Sequence, residues 1–274
     1  MTPAASTTTV DLPDTWAYGR GILHGGWLLE TVTAAAIEQT AHPHPLAVSA
    51  HFLSAAEPGP ATLDVEPLRE GRTVGALRAR LTQGDRIRVE VLVTAGTLPA
   101  VGSAPLLVDA AGPSLPPLEQ CPVQKALPGT PRNGIIEQLE VRLDPSSASW
   151  LRGRPGGSPE VRGWIRSAVG RPVDPLLLLS VADALPPVTL DLGIEGWVPT
   201  IELTILLRCM PAEGWLRVLQ RAKLLHGGWL DEECEVWDST GQLVAQARQL
   251  AGYREPDQHA DRAASPRPAA PLVS

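Results

Sequence analysis

Two stretches of the chain, Leu46–Gly96 and Thr200–Gly252, run through the same order of segments. Each reads as a strand, a Gly-containing turn, a strand, a second turn, a strand, a Gly hairpin signal and a last strand. Each closes on Ala-Gly, at Ala95-Gly96 and at Ala251-Gly252. The Glu57-Pro58-Gly59 turn has its counterpart in Ala212-Glu213-Gly214. A repeat of this size implies duplication of one unit. Ahead of each copy stands an apolar helical segment. The first is GILHGGWLLETVTAAAIEQT over 21–40, apolar on nearly every side, as a helix buried all round would be. The second, LLLLSVADAL, follows Asp174-Pro175, a helix-start signal, and is closed by Pro186-Pro187. A buried helix followed by antiparallel strands predicts α+β units, each a sheet wrapped around its own helix, two of them packed as a pseudo-dimer.

The strands expected in the first unit are Leu46–Leu53, Ala61–Leu68, Thr73–Leu81 and Ile87–Thr94, with Thr7–Leu12 able to pair at an edge. Those of the second are Ile135–Leu143, Val161–Ser167, Thr200–Arg208, Trp215–Leu225, Leu230–Asp238 and Leu243–Tyr253. Residues 97–132 carry eight prolines and read as an interdomain crossing. The expected domains are therefore 1–100 and 133–255, a Pro-rich linker over 101–132, and a disordered tail over 256–274, rich in charge, Ala and Pro. His24-Gly25-Gly26-Trp27 recurs as His226-Gly227-Gly228-Trp229, but only the first copy opens a helix. The second lies between two strand patterns and reads as a hairpin loop.

Composition narrows the function classes. At 274 residues with 43% hydrophobic content, the chain allows one large or two ordinary domains with ample material for a core. A formal charge of −7 argues against nucleic-acid binding, which favours basic surfaces. Cys121, Cys209 and Cys234 are odd in number and far apart, so neither a disulfide framework nor a zinc pattern is expected. MTPAASTTTVDLPD lacks the basic start and apolar centre of a signal peptide, and no apolar run has the length of a membrane span. The expectation is a cytoplasmic protein of a reducing compartment with no membrane partner.

The pattern resembles the double-hotdog acyl-CoA thioesterases, the acyl-CoA thioesterase II-like group and its actinobacterial relatives. The residues that carry the resemblance are HGGWLLETVTAAAIEQ, SAHFLSAAEPGPATLDVEPLREGRTVGALRARLTQGDRIRVEVLVTAG, PTIELTILLRCMPAEGW and VWDSTGQLVAQARQLAG. The resemblance implies two tandem hotdog domains, hydrolysis of an acyl thioester (acyl-CoA or carrier-bound), and no cofactor. In that family a water is held by an Asp on the second domain's helix, a Thr or Ser opening the next strand, and a Gln on the last strand. Those roles fall on Asp183 in SVADALPP, Thr200 in VPTIEL and Gln249 in ARQLAG. The helix position of the first half that matches Asp183 is Thr33, which cannot act as a base, so one site per chain is expected. Single-hotdog relatives place a carboxylate at the position that Thr33 holds here.

Thioester hydrolysis needs a held water, a base for its proton and donors for the developing oxyanion. A buried Asp183 fits the base, because burial raises a carboxyl pKa. Neutral Thr200 and Gln249 fix a water without competing for its proton. His24, Gly25, Gly26 and Trp27 are the expected substrate-binding residues, since a helix N-terminus offers unpaired N–H groups to a carbonyl. Each residue also has a bland reading. Asp183 reads as a loop cap, Thr200 as a strand start, Gln249 and Glu232-Glu233 with Glu235 as solvated positions, and His24 as a turn histidine. His42, His44 and His51 lack a carboxylate cluster for a metal, the dinucleotide fingerprint fails at its third glycine, and no G-x-S-x-G occurs. Two alternatives stay open: a hotdog dehydratase or hydratase on a thioester-like substrate, and a non-catalytic acyl-ligand-binding protein. A pseudo-dimer with free sheet edges also leaves a homodimer open.

Overall fold

A computed structural model describes residues 5–19, 21–125 and 133–255. The expected tail over 256–274 and residues 126–132 of the linker lie outside the described residues. In chain order the elements are β1 (Ser6–Leu12), β2 (Ala17–Tyr18), β3 (Ile22–Leu23), α1 (Gly25–Ile37), β4 (His44–Phe52), β5 (Gly59–Glu70), β6 (Gly75–Gln83) and β7 (Arg86–Gly96). The second half contributes α2 (Gly134–Gln138), β8 (Leu139–Leu143), β9 (Glu160–Ser167), α3 (Leu177–Ala182), β10 (Thr200–Leu207), β11 (Leu216–His226), β12 (Trp229–Trp237) and β13 (Leu243–Gly252).

Strand alternation sorts the side chains of each half toward its own helix. On β6, Leu77, Ala79 and Leu81 are buried while Arg78 and Arg80 turn outward to Glu66 and Glu90. On β7, Val89, Val91, Val93 and Ala95 form the matching inward row. α1 packs on β4, β5, β6 and β7, and α3 packs on β10, β12 and β13. Leu28, Leu29, Val32 and Ala36 of α1 are almost wholly buried. Each Leu or Val so placed contributes roughly 1.5–3 kcal/mol. Two α+β units result, as the repeat predicts, and they are the tandem hotdog domains that the resemblance implies.

One antiparallel sheet of eleven strands runs through both units in the order β1-β5-β6-β7-β4-β10-β13-β12-β11-β9-β8. Its seam is the β4–β10 pair, with Leu203 opposite Ala50 and Ile205 opposite Val48. α1 and α3 meet on the same seam, where Ser180 donates to the buried Glu30 carboxylate at 2.6 Å and Arg171 pairs with its other oxygen. The second His-Gly-Gly-Trp is the β11–β12 hairpin, its two glycines at φ 61° and 79°, values that side chains resist.

The Pro-rich segment travels along the second unit. The Pro99 carbonyl accepts from the Met210 N–H, the Pro116 carbonyl from the Trp164 indole, and the Gln124 N–H donates to Val141 beside β8. Two elements differ from expectation. Residues 135–138 form α2 rather than strand, because Asn133 caps it through the Ile135 N–H and it packs on the residues around Trp16. α3 ends at Ala182, short of the prolines. Pro186 and Pro187 have no N–H to bond the Ala182 and Asp183 carbonyls, and the His24 ring takes the Asp183 carbonyl instead.

Candidate functional site

α1 begins against the end of α3, and the sequence reason is glycine at Gly26. A Cβ there would lie 2.8 Å from both Asp183 Cβ and the Leu179 carbonyl oxygen, so only a bare backbone allows the two segments to meet. The Gly26 N–H donates to Asp183 Oδ2 at 2.7 Å. His24 caps the same helix: its Nδ1 accepts from the Trp27 N–H at 3.3 Å, leaving Nε2 as the donor to the Asp183 carbonyl at 2.9 Å. That Nε2 is also 3.4 Å from Asp183 Oδ2. The imidazole ring lies flat against Trp16, which stacks in turn on Trp27.

Asp183 sits just past α3, with its carboxylate at the wall of a cavity of about 580 Å³. Burial pushes its pKa above the ordinary carboxylate value, with His24 and the Gly26 N–H pulling the other way. Thr200, at the start of β10, and Gln249, on β13, line the same cavity. The Thr200 hydroxyl donates to Gln249 Oε1 at 2.8 Å. The Gln249 amide donates in turn to Glu232 Oε2 on β12, and Glu232 Oε1 accepts from the Val188 N–H at 2.8 Å.

Glu232 corrects the solvated-face reading. It is 2% exposed and stands in phase with Leu230, Cys234 and Val236, all buried, whereas Glu233 turns outward to Lys223. That two-residue phase is visible in LDEECEV and is the signal that identifies it. Burial raises its pKa, and the Asp183 charge adds to the rise. Beside it, Gln220 on β11 is also buried and donates to the Pro186 carbonyl at 3.2 Å.

Of the expected substrate-binding residues, His24 and Gly25 line the cavity. The Gly26 amide is committed to Asp183, and Trp27 is buried behind the wall in the aromatic stack. The rest of the lining is largely apolar, including Phe52, Ile135 and Leu190, with Tyr18 stacked on Trp197 at 5.3 Å between ring centres. Burial, helped by Asp183, lifts the Tyr18 pKa above its usual value, so its hydroxyl stays protonated. His42 and His44 each bond backbone of their own half, to the Gly71 carbonyl and the Leu98 N–H. No group of metal-binding side chains occurs among the described residues.

Residues 12–97 match the acyl-CoA thioesterase N-terminal domain and residues 118–253 the acyl-CoA thioesterase C-terminal domain. An uncharacterized protein of Mycobacterium tuberculosis is 34% identical, the match spanning 91% of each chain. The crystal structure of a candidate thioesterase II from Thermobifida fusca is 33% identical with a TM-score of 0.82, covering 91% of this chain and 92% of that one. A hot dog fold protein of unknown function from Alicyclobacillus acidocaldarius is 21% identical with a TM-score of 0.77, over 92% and 96% of the two chains.

Proposed function

Because the chain belongs to the acyl-CoA thioesterase family over both of its halves, we propose that it hydrolyses acyl-CoA thioesters by direct attack of water in the cavity beside Asp183. The observation that carries this reading is the meeting of one carboxylate, one hydroxyl and one amide of the second half at one cavity, against the N-terminus of α1. Asp183 Oδ2 is held by the Gly26 N–H, which leaves Oδ1 to take the proton of a water. The Thr200 hydroxyl has given its hydrogen to Gln249, so its free lone pairs accept a hydrogen from that water. The water then keeps a lone pair for the thioester carbonyl carbon. The C–S bond breaks, the thiolate takes up a proton, and the acid and free thiol leave.

The thioester enters with its carbonyl oxygen toward the Gly25 N–H, since the next two amides already serve Asp183 and His24. Its acyl group lies on the apolar lining. No helix among the described residues is long and apolar enough to cross a membrane. In the sheet, β8 is bridged to the linker through Val123 and Arg142, so a homodimer formed by edge pairing falls to β1. The decisive test is incubation with a panel of acyl-CoAs of different chain length, with free thiol read by a disulfide reagent. Thiol release with equimolar acid supports the reading. Loss of water from the acyl group without thiol release would sink it.

A further inference from the structure

We infer that Glu232 is a positioning residue that fixes the hydrogen-bond direction of Gln249 and Thr200 and ties them to the loop carrying Asp183. The inference rests on the hydrolase reading for its kinetic consequences, but its geometry stands apart from it.

Glu232 spans two parts of the site. One carboxylate oxygen accepts from the Val188 N–H, five residues beyond Asp183 on the same loop. The other accepts from the Gln249 side-chain amide on the neighbouring strand, where register places the two residues opposite each other. Both oxygens of Glu232 meet N–H groups, so the carboxyl accepts at each of them. Gln249 must therefore turn its NH₂ to Glu232 and its carbonyl oxygen to Thr200. Thr200 must then donate to that oxygen and keep its lone pairs for the cavity. A single acceptor at the buried end of the chain thus sets the polarity of every later bond. Gln220 steadies the same loop through the Pro186 carbonyl, so Asp183 is anchored by two side chains that reach across from β11 and β12.

The isosteric change Glu232→Gln isolates this role. Glutamine has one acceptor oxygen, yet Val188 and Gln249 both present donors. Either the Val188 N–H loses its partner, or Gln249 turns over and donates to Thr200, which reverses the hydroxyl. The expected result is a fall in kcat of about tenfold with KM unchanged, comparable to losing one hydrogen bond to a charged group.

A positioning role lowers kcat while the titration of Asp183 stays where its own surroundings set it. The titratable groups facing Glu232 are Asp183 from the loop after α3 and Cys234 on its own strand, while His24 and Tyr18 face Asp183 from the other side. Its neighbours on β11 and β13, Gln220 and Gln249, are neutral, and no Lys or Arg is among the described residues lining the cavity. The Asp183 charge bears on Glu232, whereas what shifts Asp183 is its own burial, His24 and the Gly26 N–H, so Glu232→Gln should lower kcat and leave the acid limb of kcat/KM in place.

A measurement independent of turnover is the side-chain amide of Gln249 in nitrogen–proton NMR spectra of the full chain. Wild type should show one strongly deshielded proton of that amide, lost in Glu232→Gln. A Gln249 amide unchanged by the substitution, or an unchanged kcat, would overturn the inference. A wild-type protein that releases no thiol overturns the hydrolase reading instead, and the amide spectrum then still decides the geometry.

Discussion

Setting Gly96 on Gly252 aligns the last strands of the two units and pairs Val93 with Gln249. Strand register then pairs Leu77 with Glu232, since Leu77 faces Val93 as Glu232 faces Gln249. On the helices, Thr33 answers to Asp183. One half thus presents Thr33, Leu77 and Val93, all essentially sealed, where the other presents Asp183, Glu232 and Gln249 around a cavity. The backbone frame is duplicated but the chemistry is not. Buried carboxylates are costly unless bonded, and here the cost is offset for Asp183 by the Gly26 amide and His24 of the first half, and for Glu232 by Gln249 and the Val188 N–H of the second. The first half contributes the helix N-terminus that holds the other half's carboxylate. The cavity lies at the seam and draws its lining from both units.

The largest test of that asymmetry is Asp183→Asn. Loss of the base should lower kcat/KM by roughly 10²–10⁴-fold with KM little changed, measured by thiol release. Substitution at Thr33 should leave turnover intact. In wild type the acid limb of kcat/KM should fall above the ordinary aspartate range, since burial raises the Asp183 pKa. Below that limb Asp183 is protonated and cannot accept from water; above it the base is competent. An acid limb at or below the usual aspartate value would contradict the assignment of the base.

Next in size is Gly26→Ala. The added methyl meets the Leu179 backbone oxygen at 2.8 Å, which has no rotamer to yield, so Asp183 must shift. A displacement of about 1 Å in a positioned group costs on the order of 100-fold, and kcat should carry it. A variant that folds and turns over at the wild-type rate would show that the seam is not held by that approach.

Much of this was legible in the residues themselves. The alternation of β6, β7, β12 and β13 fixes which side chains face the helices, and the flanks of the two His-Gly-Gly-Trp copies separate a helix start from a hairpin. The resemblance directed attention to Asp183, Thr200 and Gln249, which the fold brings to one cavity. Other features depend on contacts remote in sequence. Glu232 reads as one of several acidic residues on an exposed strand until its phase with Leu230 and Val236 is weighed. Pro186 and Pro187 lack the N–H groups that would bond the Ala182 and Asp183 carbonyls, so they end α3 locally, but that His24 takes the freed Asp183 carbonyl depends on a residue far away in the chain. The 135–138 segment forms a helical turn because Asn133 caps it and the N-terminal residues around Trp16 receive it. In each case the local signal is present in the residues, and the remote contact decides what it does.

The smallest expected effect lies in the silent half and sharpens the comparison from its other side. The Thr33 hydroxyl is fully buried and has no hydrogen-bond partner among the described residues, so it forfeits its hydration without compensation. Valine has the same shape and removes only that group. Thr33→Val should therefore stabilise the protein by about 1 kcal/mol, read as a rise in Tm of roughly 2–4 °C for a chain of this size, with kcat and KM unchanged. A loss of stability would mean that the hydroxyl meets a partner at the seam after all. A loss of activity would mean that the first half takes part in the chemistry, and the division of labour between the two units would have to be redrawn.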